Sequence, residues 1–524
     1  MIGRILTVSG FTLLSRVTGF LRDIVLAWVL GAGPVADAFF VALRLPNHFR
    51  AIFAEGAFNA AFVPTYAQLR TSGSASLEMF ASRIFTLLLV VQLLLLAIAL
   101  LCMPWVITLL APGFARESGQ FALAVALTRI TFPYLLLITL VTLYSGILNA
   151  IGRFAAAAAA PILLNLSIVF ALFVAAAFPS PGHAAAWGVF AAGVLEALLV
   201  GGDAWRQGAL PRLRWPRFDS DVKTFLKRFA PATVGSAETQ IALFADTIIA
   251  SFLVAGSLSA LYYADRLNQL PIGVIAVAVG TVLLPEMANR LAANDEQGAR
   301  HAQNRAIEFT LLLSIPCFAA FFFVPETIMR GLFERGAFTA TDTAATAATL
   351  RAYATGLFAF VLIRSMAITY LSRGDTWTPV VALSYAVAVN VALKVLLFSF
   401  TNLAQVGLAL ATSAGAWVNV ILLYAFARRA DLISFDEMLR QSAVRLGIAG
   451  VALIAVLMAG EAALATLFAE RPHRGALMLT ALAILGGLVY GVLVLALFGK
   501  QRIVGLFRRP RPPATQAPAL PDEP

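Results

Sequence analysis

Apolar windows of membrane length recur about fourteen times along this chain and constrain its fold more than any other feature. A transmembrane helix needs about 20 apolar residues, and backbone polar groups in lipid are satisfied only in helices or closed barrels. The chain has 524 residues, of which 60% are hydrophobic and 12% are charged. The sequence therefore predicts an all-α polytopic membrane protein. The predicted spans lie near residues 6–30, 35–66 (bent), 81–103, 122–150, 158–178, 184–203, 231–254, 260–287, 307–325, 344–371, 378–400, 404–427, 443–464 and 476–498.

The distribution of arginine and lysine predicts which loops face the cytoplasm. Roughly 23 basic residues fall on one side of the predicted spans and roughly five on the other, which by the positive-inside rule puts both termini in the cytoplasm. On the same side lie a basic loop at 204–230 and a proline-rich tail at 501–524, which we expect to be disordered. The rest of the chain is expected to form an N-terminal six-helix lobe (1–203), a C-terminal six-helix lobe (231–427) and a final helix pair (428–500).

Several charged residues interrupt the apolar runs. An ionised side chain at mid-bilayer costs about 2.5–3.5 kcal/mol on insertion scales, so such residues normally face a bundle interior or a wet cavity. Snorkelling from helix ends is an alternative for Arg44 and Arg50. Interhelical pairing is an alternative for Arg22, Asp23, Asp37, Asp265 and Arg266. The arginines exceed the local acids by a small number. The pattern favours a cationic cavity with an anionic ligand, lined by Arg16, Arg22, Asp37, Arg44, Arg50, Glu55 and Arg266.

An internal repeat divides the chain into halves. Asp23, Gly33 and the pair Phe39–Phe40 have the spacing D-x9-G-x5-aromatic-aromatic, and Asp246, Gly256 and Tyr262–Tyr263 repeat it without a gap. Each copy is followed by a proline, Pro46 or Pro271, which we expect to act as a hinge because proline removes a helical hydrogen bond. Two structural repeats with a site at their interface are a recurrent plan of transporters.

A second group of buried charges is predicted in the C-terminal half. Lys394 lies in the middle of the eleventh span, one turn after Asn390, and we expect it to pair with Asp246. The four histidines lack metal-ligand spacing, and no phosphate-binding glycine pattern or nucleophile motif occurs. We therefore expect neither a cofactor nor a metal, and energy from an ion gradient, the membrane potential or substrate flow.

Four sequence runs resemble the lipid II flippase family MurJ/MviN of the MOP exporter superfamily. They are SRVTGFLRD from Ser15, ADAFFVALRLPN from Ala36, FAEGAFNAAFVP from Phe53 and YYADRL from Tyr262. The resemblance extends to about residue 500. It implies fourteen helices, in two six-helix lobes and a final pair whose groove takes the polyprenyl tail. It also implies a transporter, not an enzyme, that moves lipid II, the lipid-linked peptidoglycan precursor, from the cytoplasmic to the periplasmic leaflet of the bacterial inner membrane.

The resemblance also assigns residues. The family's cavity arginines match Arg16, Arg22, Arg50 and Arg266, its cavity acid matches Asp37, and Arg44 and Glu55 match a basic and an acidic position. Lys394 stands where relatives with a proposed sodium site carry a carboxylate, and a fixed ammonium there can substitute for the ion.

Other functions and partners follow less directly. An exporter of another polyprenyl-linked oligosaccharide is the alternative function, whereas a cationic-drug exporter requires an acidic cavity. A membrane enzyme or scaffold lacks support, because we find no acidic metal cluster and a scaffold needs no intramembrane arginine. Membrane lipids and cell-division or cell-wall synthesis proteins are candidate partners, and nucleic acid is not.

Overall fold

The protein is built from helices. A computed structural model describes residues 2–50, 57–71, 77–116, 118–471 and 473–499, and contains no β-strand in these ranges. Glu55 and the tail at 501–524 lie outside them. The helices are α1 (Ile2–Leu30), α2 (Pro34–Phe49), α3 (Ala57–Thr71), α4 (Leu77–Leu101), α5 (Met103–Leu110), α6 (Ser118–Thr131), α7 (Tyr134–Ala150), α8 (Ala155–Phe173), α9 (Pro181–Arg206), α10 (Ser220–Ala250), α11 (Ser257–Ala292), α12 (Glu296–Phe323), α13 (Pro325–Leu332), α14 (Ala340–Ala354), α15 (Leu357–Leu371), α16 (Trp377–Phe400), α17 (Ala404–Arg429), α18 (Glu437–Leu467) and α19 (Arg474–Phe498).

Most of the predicted spans are recovered as long apolar helices. Within the described ranges, eleven helical segments are long and apolar enough to cross a membrane. The three predicted spans that remain correspond to α1, to the short helices α2 and α3, and to α10. Helix α1 carries Arg16, Arg22 and Asp23 on its length, and α2 and α3 have only 16 and 15 residues. These three segments carry most of the charged positions, whereas Arg266 and Lys394 lie on α11 and α16, which have the length and composition of ordinary spans.

The basic loop is shorter than predicted and lies against the N-terminal lobe. Helix α10 begins at Ser220, eleven residues before the predicted start, because Asp219 caps it by accepting a hydrogen bond from Val222 N at 2.9 Å. Arg212 N donates to Ser82 Oγ at 3.1 Å and Arg214 N donates to Thr86 Oγ1 at 3.0 Å, which ties the loop to α4. The boundary expected at residue 231 is thus placed too late, since Pro231 lies inside a continuous helix.

The two copies of the internal repeat meet face to face. The largest hydrophobic cluster contains both aromatic pairs, and Phe40 stacks on Tyr262 with ring centroids 3.9 Å apart. Helix α2 packs against α11, so the second helix of each copy lies at this contact. Pro46 lies within α2 and Pro271 within α11, and both helices continue past them.

The final helix pair is attached to the second lobe. Helix α18 packs on α12, and α19 packs on α18 and α13. Outside the apolar segment, Arg305 of α12 pairs with Asp436, the residue that caps α18, at 2.7 Å. Tyr490 of α19 donates a hydrogen bond to Leu312 O at 2.8 Å. These contacts fix α18 and α19 beside the second lobe.

Candidate functional site

The central charged cluster is built around Asp23 of α1. Arg22 is only 6% exposed, and its guanidinium donates to Asp23 Oδ1 through Nη2 at 2.7 Å and Nε at 3.1 Å. Its remaining terminal nitrogen, Nη1, donates to Asn165 Oδ1 of α8 at 3.0 Å. Asn165 is oriented in turn, because its amide donates to Ser15 O and Thr18 Oγ1. Arg22 is therefore held by partners on two helices of the first lobe.

The second lobe reaches the same carboxylate. Arg266 of α11 lies with Nε 3.5 Å from Asp23 Oδ2, and its guanidinium carbon is 5.1 Å from the ring centroid of Tyr262. The Tyr262 hydroxyl donates to Asp23 Oδ1 at 3.1 Å and accepts from Arg22 and Arg266, each at 3.2 Å. Two guanidiniums from opposite lobes thus meet at one carboxylate and one phenol.

The negative charge near this cluster comes from Asp23 and Asp265. Asp23 faces the guanidiniums of both Arg22 and Arg266, and Asp265 interacts electrostatically with Arg266. The Arg266 side chain is 37% exposed, whereas that of Asp23 is 5% exposed. Arginine donors in a fixed planar fork are well suited to phosphate and carboxylate oxygens. The arrangement can therefore present cationic donors to an anion from the Arg266 side.

Asp37 holds the two lobes together and does not line the same cluster. Its Oδ2 accepts from Gly256 N at 2.7 Å and its Oδ1 accepts from Ser259 N at 2.8 Å, so it caps the N-terminus of α11 from α2. Gly256 has φ of +93°, and a Cβ there would lie 2.7 Å from Ala32 O. The close approach of the lobes at this end of the bundle therefore requires glycine at 256.

The other predicted cavity residues are spread along the lobe interface. Arg16 is exposed, and its Nη1 lies 2.8 Å from the position that a Cβ would occupy on Gly273 of α11. Arg44 is half-buried and donates to Thr247 Oγ1 of α10 at 2.8 Å. Arg50 interacts electrostatically with buried Glu196 of α9. Glu55 lies outside the described residues.

The predicted pair in the C-terminal lobe is formed. Lys394 Nζ lies 2.8 Å from Asp246 Oδ1 and donates to Ala242 O at 3.3 Å, with the lysine fully buried. Asn390 is buried one turn earlier on α16 and packs on Gly415. The ammonium thus joins α16 to α10 inside one lobe.

Sequence reasoning misses two members of the central cluster. Asn165 is one of two polar residues in an apolar run, with Ser167, and no pattern connects it with Arg22, 143 residues away. The sequence identifies Tyr262 only as half of an aromatic pair. Its hydroxyl is the available signal, since the first repeat carries phenylalanines at the matching positions.

Comparison with known proteins gives consistent results over nearly the whole chain. The family model described as Lipid II flippase MurJ matches residues 26–507. A probable lipid II flippase MurJ of Rhizobium tropici is 42% identical over 456 residues, which cover 85% of this chain and 84% of that protein.

The solved structures agree with the sequence comparison. A lipid II flippase MurJ in an inward closed conformation is 25% identical with a TM-score of 0.79, covering 96% of this chain and 99% of that one. An inward-facing multidrug resistance MATE family transporter of the MOP superfamily matches at a TM-score of 0.66 and 15% identity, covering 80% of this chain and 95% of that one. The second likeness concerns the fold alone.

Proposed function

The chain belongs to the lipid II flippase MurJ family, and from this premise we propose how it carries lipid II from the cytoplasmic to the periplasmic leaflet. It is a transporter and not an enzyme. We propose alternating access, in which a cavity between the two lobes receives the head group on one side and releases it on the other. The polyprenyl tail stays in the lipid, along the groove we expect beside α18 and α19.

One observation carries the mechanism: Arg22 and Arg266, from different lobes, converge on the single carboxylate of Asp23. Lipid II offers a diphosphate and peptide carboxylates, which are the anions that guanidinium forks bind best. In the substrate-free cluster Asp23 serves as the counter-ion. When the head group enters, its phosphate oxygens take over guanidinium donors from Asp23, so that neither arginine is left buried and unpaired at any stage.

The hydrogen bonds of Asp37 control the opening of one end of the bundle. It closes the end of the bundle at which α1 ends and α2 begins, because one carboxylate holds two backbone N–H groups of the opposite lobe. Opening that end requires these bonds to break. A head group that draws Arg22 and Arg266 together shifts the equilibrium between the conformations open to the two sides of the membrane. The shift is driven by the difference in the free energy with which the head group binds these two conformations.

The flux of lipid II is the measurement that tests this proposal. Purified protein is reconstituted into vesicles, and lipid II flipping is expressed per correctly inserted molecule. Arg22→Ala and Arg266→Ala should abolish flipping, whereas Arg→Lys should retain part of it, because lysine keeps the charge and loses the bidentate fork.

The matched control is Arg440→Ala. Arg440 lies on α18 with its side chain 81% exposed, so flipping should be unchanged. Full flipping by the Arg22→Ala and Arg266→Ala proteins would contradict the mechanism. A loss of inserted protein with a normal rate per molecule would instead assign the arginines a structural role.

We also propose residence in the bacterial inner membrane with both termini cytoplasmic, supported by the arginine distribution. Cysteines at Ser220 and Ser180 should then react with impermeant reagents from opposite sides, and reaction from the same side would reject this topology. Cell-division or cell-wall synthesis proteins remain candidate partners, which cross-linking in growing cells would test.

A further inference from the structure

Three guanidiniums lie in a line along helix α11, one from α11 itself and two from other helices. Residues 266, 273 and 280 are seven apart, so on a helix of 3.6 residues per turn they fall within about 40° of one another. The first is Arg266. The other two are glycines, and each lies against an arginine of another helix.

The two glycines leave room for an arginine side chain close to the backbone of α11. A Cβ on Gly273 would lie 2.8 Å from Nη1 of Arg16, and a Cβ on Gly280 would lie 3.0 Å from Nε of Arg364 on α15. Both distances are shorter than the 3.4 Å at which ordinary van der Waals contact begins. The guanidiniums therefore lie as close to the backbone of α11 as they do because no side chain occupies these positions.

The first two of these positions on α11 meet the other lobe, and the third meets α15 of the same lobe. Arg16 comes from α1, and Arg266 of the same face reaches Asp23, also on α1. Arg364 comes from the second lobe itself and is exposed. Within the described part of the chain, neither Arg16 nor Arg364 forms an ion pair with a carboxylate. An exposed arginine within a span is costly in lipid, and such residues normally face a bundle interior or a wet cavity.

We propose that Arg364 is a further residue that binds the anionic head group. Gly273 and Gly280 are positioning residues, because they hold Arg16 and Arg364 close to α11. This inference rests on the function proposed above. Three guanidiniums at a rise of about 10 Å per seven residues can hold more than one anionic group of the same substrate at once. The line extends the central cluster along α11 toward its C-terminus, where the head group would be met before it reaches Arg22.

The test is binding of lipid II, undecaprenyl diphosphate and neutral undecaprenol to purified full-length variants. Arg364→Ala should weaken lipid II binding about tenfold, the factor expected for loss of a charge-assisted hydrogen bond. Gly280→Ala should weaken it less, because the flexible end of Arg364 can shift, and Gly280→Leu should match Arg364→Ala. At Gly273, alanine should likewise weaken lipid II binding less than leucine, and leucine should match Arg16→Ala. Binding of undecaprenol, which has no anionic head group, should not change.

A glycine in open surroundings provides the matched control. At Gly202 of α9, no atom lies within 4 Å of the position that a Cβ would occupy, so its substitution by alanine or leucine should leave lipid II binding unchanged. Alanine is favoured over glycine inside a helix by about 1 kcal/mol, so a loss at Gly280 cannot come from helix propensity.

The outcomes separate this inference from the function on which it rests. Loss for lipid II alone assigns the Arg364 contact to the peptide carboxylates, and equal loss for undecaprenyl diphosphate assigns it to the phosphates. Both results support the inference. Unchanged lipid II binding in Arg364→Ala and Gly280→Leu, with binding lost in Arg266→Ala, would overturn it and leave the central mechanism standing. Unchanged binding in all three would overturn both.

Discussion

The two copies of the repeat use the same positions for different purposes. In the first copy, Asp23 lies at the lobe interface and takes an arginine from each lobe, at 2.7 Å and 3.5 Å. In the second copy, the matching Asp246 pairs with Lys394 inside its own lobe at 2.8 Å. One acid is shared between the moving halves, whereas the other is enclosed within one of them.

The aromatic pairs differ in the same sense. Phe39 and Phe40 contribute only ring surface, whereas the hydroxyl groups of Tyr262 and Tyr263 bond to the first lobe, at Asp23 Oδ1 and Gly31 O. The shared skeleton brings the rings together, and the two added oxygens form polar links between the lobes. We infer that Asp23 of the first copy belongs to a substrate site to which the second copy contributes Arg266 and Tyr262, whereas Asp246 gives rigid support inside its own lobe.

The largest expected effect is on the enclosed pair. Removing one partner of a buried ion pair costs about 3–5 kcal/mol, while replacing both by apolar residues is often neutral. Asp246→Asn and Lys394→Met should therefore each lower the thermal stability of the purified protein strongly, and the double variant should recover most of it. Purely additive losses would show that the two side chains do not stabilise each other.

The same set of single and double variants at Arg22 and Asp23 tests how the two copies of the repeat differ. Arg22→Met combined with Asp23→Asn should recover stability but not lipid II flipping, because Arg22 also serves the substrate. The double variant at Asp246 and Lys394 should recover both, and its flipping should not depend strictly on sodium. Equal recovery of flipping in the two double variants would erase the difference between the copies.

An intermediate effect is expected for the tyrosine hydroxyls. Tyr262→Phe loses three hydrogen bonds to charged partners, at a cost of about 1.5–3 kcal/mol, whereas Tyr263→Phe loses a single bond to Gly31 O, at about 0.5–1.5 kcal/mol. Thermal unfolding of each variant measures this order. A larger loss for Tyr263→Phe would contradict the assignment of Tyr262 to the central cluster.

The smallest expected effect lies outside the membrane, at the cap of α18. Partial burial disfavours ionised Asp436, but the N–H of Leu439 and the guanidinium of Arg305 outweigh it and hold its pKa below the ordinary value. The stabilisation is thus present above about pH 4, the unfolded pKa, and is lost as pH falls through the lower folded pKa. Asp436→Asn keeps a capping side chain, so it should lower stability slightly at pH 7 and by less at pH 3. Exposed Glu470→Gln is the control, and an Asp436 effect that is unchanged at pH 3 would contradict the charge argument.

The sequence predicts the fold well because hydropathy and charge report directly on burial in lipid. Spans such as α16 and α17 are recovered within a residue or two at most ends. The start of α10 is missed because the basic residues of 204–230 suggest a loop, whereas the helix is already established by the cap at Asp219.

The site is predictable only in part. The repeat and the interrupted apolar runs single out Arg22, Arg266 and the pair Asp246–Lys394. Nothing local indicates that Asp37 caps α11, because that contact joins residues more than 200 positions apart. In the sequence, Arg364 is a charge in an apolar span, which suggests only a place near a membrane interface or in a contact between helices. The signal for it is the placement of Gly273 and Gly280 at seven-residue steps from Arg266, which gains meaning only when the neighbouring arginines are located.

Binding of a minimal anionic lipid tests the central claim most directly. The affinity of the purified protein for undecaprenyl diphosphate is compared with that for undecaprenol, in the unaltered chain and in Arg22→Ala and Arg266→Ala. Our account predicts a preference for the diphosphate that weakens with added salt and is lost in either variant, while Lys394→Met combined with Asp246→Asn retains it. A preference that survives both alanine substitutions would contradict the claim that the two lobes grip the head group through these arginines.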